Sequence, residues 1–341
     1  MRSLTVNIAT PNTALNQPKN LNCIDLIKFI GAILVFIIHI PPFQGEVSGL
    51  PKYINFGLQH YLCRVAVPFY FACSGYFLFR KMPVDALDVD RIKDYCFKIL
   101  RLIGIWGILL FAGGTRHLWY LGATVTAIII LSLCYHFRLK KQVIYALAGL
   151  LYVIGILTDS YNGFIAPLAN YDIVRHVCKI YTFVFRTTRN GIFMGFIFVL
   201  MGAEFARQKK VLKPVWSAAG FVLSMICLFA EVYLLESHDI PIEYNMYIFL
   251  LPAVYFLFSF ACTVPLKDHA IYRHLRVIGM LVYFLHVFVK EIVILAAGKI
   301  GNIAISNYQF WIPLVLTLGI AVFLDWLSGK RVFRWNHWLL S

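Results

Sequence analysis

Ten apolar runs follow one another along this chain, at 23–41, 61–79, 96–112, 117–136, 142–158, 190–206, 215–235, 245–264, 276–297 and 309–328. Each is close to the roughly 20 residues that a helix needs to cross a bilayer core. Inside hydrocarbon every backbone N–H and C=O has to be paired within the protein, which leaves helices or closed barrels. The runs lack the alternation of apolar and polar residues that barrel strands require, so the expected fold class is all-α. The reading is a polytopic integral membrane helical bundle of about ten transmembrane helices. Composition agrees: with 60% apolar and 14% charged residues, the chain lies outside the range of soluble globular domains.

A net charge of +15 in a soluble protein would point to nucleic acid. Here the cations gather in short connections between apolar runs, so the expected partner is the lipid bilayer and no nucleic acid. Arg80, Lys81, Arg91, Lys93, Lys98 and Arg101 share one connection, Arg138, Lys140 and Lys141 the next but one, and Arg207, Lys209, Lys210 and Lys213 a third. Basic loops stay on the cytoplasmic side, which places both termini there. The division is then a cytoplasmic N-terminal tail at 1–22, one transmembrane domain at 23–328 and a basic cytoplasmic C-terminal tail at 329–341. One connection departs from the rule: the long outer loop 159–189 holds Arg175, Lys179, Arg186 and Arg189. Such cations serve either a ligand or an internal carboxylate. Glu231, near the end of its run, is expected to reach the outer interface.

The eight cysteines include no CxxC pair, and Cys73, Cys134, Cys227 and Cys262 fall inside apolar runs. They read as small core residues, and no metal site is expected.

The first run carries three polar side chains, Asp25, Lys28 and His39, and ionisable groups in such places are candidates for function. Lys28 and His39 are eleven residues apart, which returns to nearly the same helix face about 16 Å further on. One groove would hold a cation near the cytoplasm and an imidazole near the outer face. Asp25 sits one turn from Lys28, close enough to pair with it. The plainer alternative is that Asp25 and Lys28 snorkel at the inner interface while His39 ends the helix before Pro41-Pro42. In the second run Arg64 enters from the outer side. Pro68 removes a helical N–H, and Ser74-Gly75 permits close approach by another helix or by a ligand.

Asp25, Lys28-x10-His39, Arg64 with Val67-Pro68-Phe69, Ser74-Gly75-Tyr76 and His117-Leu118-Trp119-Tyr120-Leu121 together resemble the motifs of the acyltransferase-3 family of membrane acyltransferases. Lys98-Ile99-Leu100-Arg101 is similar to the family's paired-basic motif, and Tyr283-Phe284-Leu285-His286 to an element of the ninth span. Lys28 stands where Arg is commoner, which weakens the case for bidentate phosphate binding there. Trp119-Tyr120-Leu121, Asp159-Ser160-Tyr161 and Thr188-Arg189-Asn190-Gly191 look like the membrane domain of the serine racemases of vancomycin resistance, a branch of the same family linked with bringing L-serine across the membrane. The sequence to Ser341 leaves no room for a pyridoxal-phosphate racemase domain.

The resemblance implies a multi-pass enzyme of the bacterial plasma membrane that transfers an acyl group, most simply acetyl. No cofactor is bound permanently; acyl-CoA (acetyl-CoA) is the donor substrate, its phosphates meeting Lys28, Lys98 and Arg101. His39 acts as general base on a hydroxyl, or as a covalent acyl carrier. Asp25 holds Lys28, while Arg64 or Ser74 stabilises charge on the thioester oxygen. The acceptor would be an extracytoplasmic hydroxyl of a glycan or lipid-linked sugar of the cell envelope, met by Trp119, His117, Arg189 and His286. His286 has a second reading, as a core histidine with its hydrogen bonds met. The rival function is a membrane transporter for a small molecule such as L-serine through the same groove.

Overall fold

The computed structural model describes residues 21–43, 48–82, 87–110, 116–208, 212–300 and 309–328. Almost all of the expected N-terminal tail and all of the C-terminal tail lie outside the described residues. Among those described there is no strand, and the chain is all-helical.

The first half comprises α1 (Asn22–His39), α2 (Gly49–His60), a 3-10 turn (Leu62–Val65), α3 (Ala66–Phe79), α4 (Val89–Leu109), α5 (Trp119–His136) and α6 (Lys141–Leu157). The second comprises α7 (Asn162–Ile165), α8 (Asp172–Phe185), a π-helical turn (Gly191–Gly195), α9 (Phe196–Arg207), α10 (Pro214–Ser237), α11 (Leu250–Thr263), α12 (Ile271–Ile300) and α13 (Trp311–Ser328). Every apolar run of the sequence contains a helix.

Length and composition give a lower span count than the ten runs. Among the described residues six helical stretches are long and apolar enough to cross a membrane, or up to seven if α6 and the short helix after it, bent by 83°, form one span. The shortfall has a physical origin in helices that are short or charged. α6 has 17 residues, α11 has 14 and α9 has 12, and α4 carries several charges; α3, with 14 residues, is counted together with α2 in the stretch Gly49–Phe79. α4 begins earlier than its apolar run because Asp88 caps it, accepting from the Arg91 N–H at 3.0 Å. That bond and the Arg91 guanidinium hold the Asp88 carboxyl below its usual range.

α11 starts five residues later than its run suggests. Asp159 takes the backbone N–H groups of Asn245 and Met246, and Glu231 takes those of Ile248 and Phe249 at 2.6 and 2.9 Å. With those donors engaged, the segment stays out of the helix through a turn at Ile248 and Phe249, and α11 begins only at Leu250. Glu231, expected at the outer interface, is buried among these partners and also accepts from the Tyr161 hydroxyl at 2.7 Å.

The central seam is the crossing of α3 and α9. A Cβ on Gly75 would overlap the Val199 carbonyl, and one on Gly202 would overlap the Ala72 carbonyl, so the two backbones touch from both sides. Such mutual close approach is the usual device for packing helices in lipid. Gly191, in the π-turn, lies as tightly against α5 at Ala123. Cys73, Cys134 and Cys262 are buried in the core and Cys227 is half-buried, as their positions in apolar runs implied. α1 packs along α12, where Gly279 faces Phe29.

Candidate functional site

Two cavities meet inside the bundle, and Tyr120 and Tyr283 line both of them. The two rings stand edge to face with centroids 6.0 Å apart. Sequence spacing suggested one groove from Lys28 to His39; the structure divides it with this pair.

The larger cavity, of about 570 Å³, carries Lys28 of α1, Lys98 of α4 and Arg276 of α12. Its floor is hydroxyl-rich, with Tyr70, Ser74 and Tyr95 beside the partition. Ser74 Oγ donates to the Tyr70 carbonyl at 3.1 Å and stands 3.3 Å from the Tyr120 hydroxyl. Tyr70 in turn donates to the Lys28 carbonyl at 2.5 Å. Adjacent residues on α3 thus separate two duties: Ser74 faces the cavity and Gly75 faces α9. Arg101 lines neither cavity. Asp25 pairs not with Lys28 but with Arg276, at 3.5 Å, while the Lys28 ammonium lies 5.9 Å from the centre of the Phe77 ring. Asp25 and Arg276 also line a polar recess beside this cavity, together with Arg273 and His269.

The smaller cavity, of about 50 Å³, gathers His39, Arg64, His117, Trp119, Arg189 and Asn245. The C-terminal end of α1 is pinned there. Lys290 Nζ donates to the His39 carbonyl at 3.2 Å, and Gln59 Nε2 to that of Ile38 at 2.9 Å. Both bonds fall on carbonyls a helix end leaves unpaired. Behind His39 lies His286, fully buried and outside the cavity lining, with ring centroids 5.1 Å from His39 and 5.2 Å from His117. His286 Nδ1 lies 3.0 Å from the Val282 carbonyl, an acceptor only, so Nδ1 bears the proton in the neutral ring. Its Nε2 has no hydrogen-bond partner among the described residues. Tyr283 donates to the His117 carbonyl at 2.7 Å, tying the partition to the wall.

Arg64 is held by a buried polar chain. It donates through Nη1 to Asn245 Oδ1 at 2.8 Å, and its Nη2 lies 3.2 Å from His60 Nδ1. Asn245 donates onward to Asp159 Oδ2 at 2.9 Å and to Glu243 Oε2 at 2.7 Å. Asp159, with no exposed surface, also accepts from Thr188 Oγ1 at 2.8 Å and from the N–H groups of Asn245 and Met246. Arg189 Nε lies 3.5 Å from Glu243, so of the two roles suggested for its charge, pairing with a carboxylate is met while it also lines the cavity. Asn245, Arg276, Tyr70 and Tyr95 were not anticipated from the sequence. Asn245 in an otherwise apolar run was the available signal.

Residues 21–116 match the model of a family described as an acyltransferase domain. The matched stretch carries Asp25, Lys28, His39, Arg64, Ser74, Lys98 and Arg101. The chain is similar to a serine/alanine racemase of Enterococcus gallinarum, 28% identical over 350 residues that cover 90% of this chain and 47% of that protein. It is similar also to two amino-acid racemases of Enterococcus faecalis, at 29% identity over 69% of the chain and 26% over 92%. The chain spans about half the length of these curated relatives or less, 47%, 35% and 47% in turn. No solved structure matches it. The motif resemblance to the acyltransferase-3 family thus holds, in a chain whose apolar helices are those of a membrane protein.

Proposed function

We propose that this protein is a membrane-embedded O-acyltransferase that moves an acetyl or similar acyl group from acyl-CoA to a hydroxyl acceptor across the tyrosine partition. The observation that carries this reading is the pairing of the two cavities on shared walls: cations and hydroxyls on one side, imidazoles on the other. Lys28, Lys98 and Arg276 suit the phosphates of coenzyme A, and the slender pantetheine arm reaches the partition at Ser74 and Tyr120. His39 takes the proton of an acceptor hydroxyl as that oxygen attacks the thioester carbonyl, and thiolate leaves as coenzyme A. Hydroxyl and guanidinium donors near the partition stabilise the oxyanion, a role for Ser74 or for Arg64. His117, Trp119 and Arg189 receive the acceptor, a glycan or lipid-linked sugar of the cell envelope.

The basic loops support a cytoplasmic placement of both termini and of the donor cavity, with the acceptor entering from the opposite face of a bacterial plasma membrane. The count of about ten crossings rests on α4, α6, α9 and α11 also spanning, α9 and α11 as short helices inside the bundle, shielded from lipid by their neighbours. Residues 23–328 then act as one domain.

The relatives' names mention serine, alanine and amino acids, and two cavities end to end also suit passage of an amino acid such as L-serine. One experiment separates the readings. Purified protein should release free thiol from acetyl-CoA when acceptor is supplied. Uptake of labelled L-serine into proteoliposomes with no thiol release would replace acyl transfer by transport.

A further inference from the structure

α8 divides into three faces at about 100° per residue. Val174, Cys178, Tyr181 and Phe185 turn inward, where Tyr181 and Phe185 pack on Phe193 and Tyr181 meets Thr158 Oγ1 at 3.0 Å. Ile173, Val177, Ile180 and Val184 form a stripe about 60° wide that stands in the open, 80%, 60%, 64% and 58% exposed. Arg175 and Lys179 lie together on the remaining side, and Arg186 follows the last turn at a φ of 56°, all three exposed. Arg175 pairs with Asp172 on the same helix.

We infer that α8 lies in the bilayer surface on the side of the histidine cavity, its Ile173–Val184 stripe in the acyl region and Arg175, Lys179 and Arg186 on anionic lipid headgroups. Fourteen residues of helix reach about 21 Å, short of the roughly 30 Å hydrocarbon core, so α8 does not cross. A helix with an exposed apolar stripe beside a basic stripe, and polar ends, fits the boundary where acyl chains meet headgroups. Charge complementarity selects the occupant: three cations on an open face favour phosphate headgroups, whereas a second copy of this chain would bring the same three cations to the contact. The placement also accounts for cations on a connection where the loop-charge rule expects few. Three residues past Arg186 comes Arg189, a wall of the cavity, and Thr188 between them is bonded to Asp159. Seating α8 on lipid therefore fixes the short segment that presents Arg189.

The test is independent of the reaction catalysed. In nanodiscs of phosphatidylcholine with phosphatidylglycerol, amide hydrogen exchange across 172–186 of the full chain should be slower by about tenfold than in phosphatidylcholine alone. Lys179→Gln with Arg186→Gln and Arg175→Gln should erase that difference without changing exchange in α5 or α9. A photo-crosslinking benzoylphenylalanine in place of Ile180 should form lipid adducts, and one in place of Phe185 should not. Equal exchange in both lipids would overturn the headgroup contact. Adducts from Ile180 with a second copy of the chain and none with lipid would overturn the surface placement.

Discussion

Arg276 on α12 reaches Asp25 on α1, Nη1 to Oδ2 at 3.5 Å, and so occupies the carboxylate that helix spacing offered to Lys28. The guanidinium is half exposed, so the pair itself contributes little to stability. Its weight lies in geometry: it joins the starts of the two helices that carry Lys28 and Tyr283, and it sets a third cation at the mouth of the larger cavity.

Arg276→Ala and Lys98→Ala should each raise the Michaelis constant for acetyl-CoA by about tenfold while turnover changes less, because phosphate contacts far from the reacting carbonyl bind ground state and transition state alike. Arg101→Ala should leave that constant within about twofold, since Arg101 faces neither cavity. Steady-state thiol release distinguishes the three variants. Equal effects from Arg101 and Arg276 would move the donor site toward α4.

His39→Ala should lower acyl transfer by about 10²–10⁴-fold, the usual contribution of a general base. Yield and elution from size exclusion should stay at wild-type values, because the end of α1 is pinned through backbone carbonyls that the substitution retains. Undiminished thiol release in this variant would remove His39 from the chemistry.

Asp159→Asn should destabilise the protein by about 3 kcal/mol or more, because an amide placed among four donors turns at least one contact repulsive and leaves buried groups unmet. A thermal melt in detergent should show the loss. If the melting temperature holds, the network round Arg64 is looser than its hydrogen bonds imply.

Gly202→Leu should fail to assemble, or assemble with a sharply lowered melting temperature, since the side chain would enter the Ala72 backbone. Gly149→Leu, with open space at its Cβ, serves as the control and should behave as wild type. Parallel losses in both would trace the defect to insertion and not to the seam.

A cysteine replacing exposed His238 should react with an impermeant thiol reagent from outside intact cells, and one replacing Gln208 should react only after the membrane is opened. Labelling of both from one side would overturn the opposed placement of donor and acceptor.

Much of the bundle is legible in the sequence because lipid enforces one solution on apolar runs, and each run holds a helix. α2 and α8 escape that logic, being short and amphipathic, with no residue of either fully buried. The spacing of Lys28 and His39 places them correctly on α1, yet each opens into its own cavity because Tyr120 and Tyr283 arrive from α5 and α12. Nothing in an aromatic-rich sequence marks two tyrosines as a partition. The same holds for Lys98 and Arg101, three residues apart and so about 60° apart on α4, enough for one to face the cavity and the other to miss it. Asp159 and Asn245 are 86 residues apart in sequence, and only the fold reveals that one holds the other.

The interlocked glycines of α3 and α9 have a mechanical consequence. With each backbone seated against the other, these helices can neither slide nor roll, and they act as a fixed post to which Ser74 is bolted. The lock reaches Tyr120 as well, because Gly191 seats the turn before α9 against Ala123 of α5, whereas Tyr283 stands on α12, outside it.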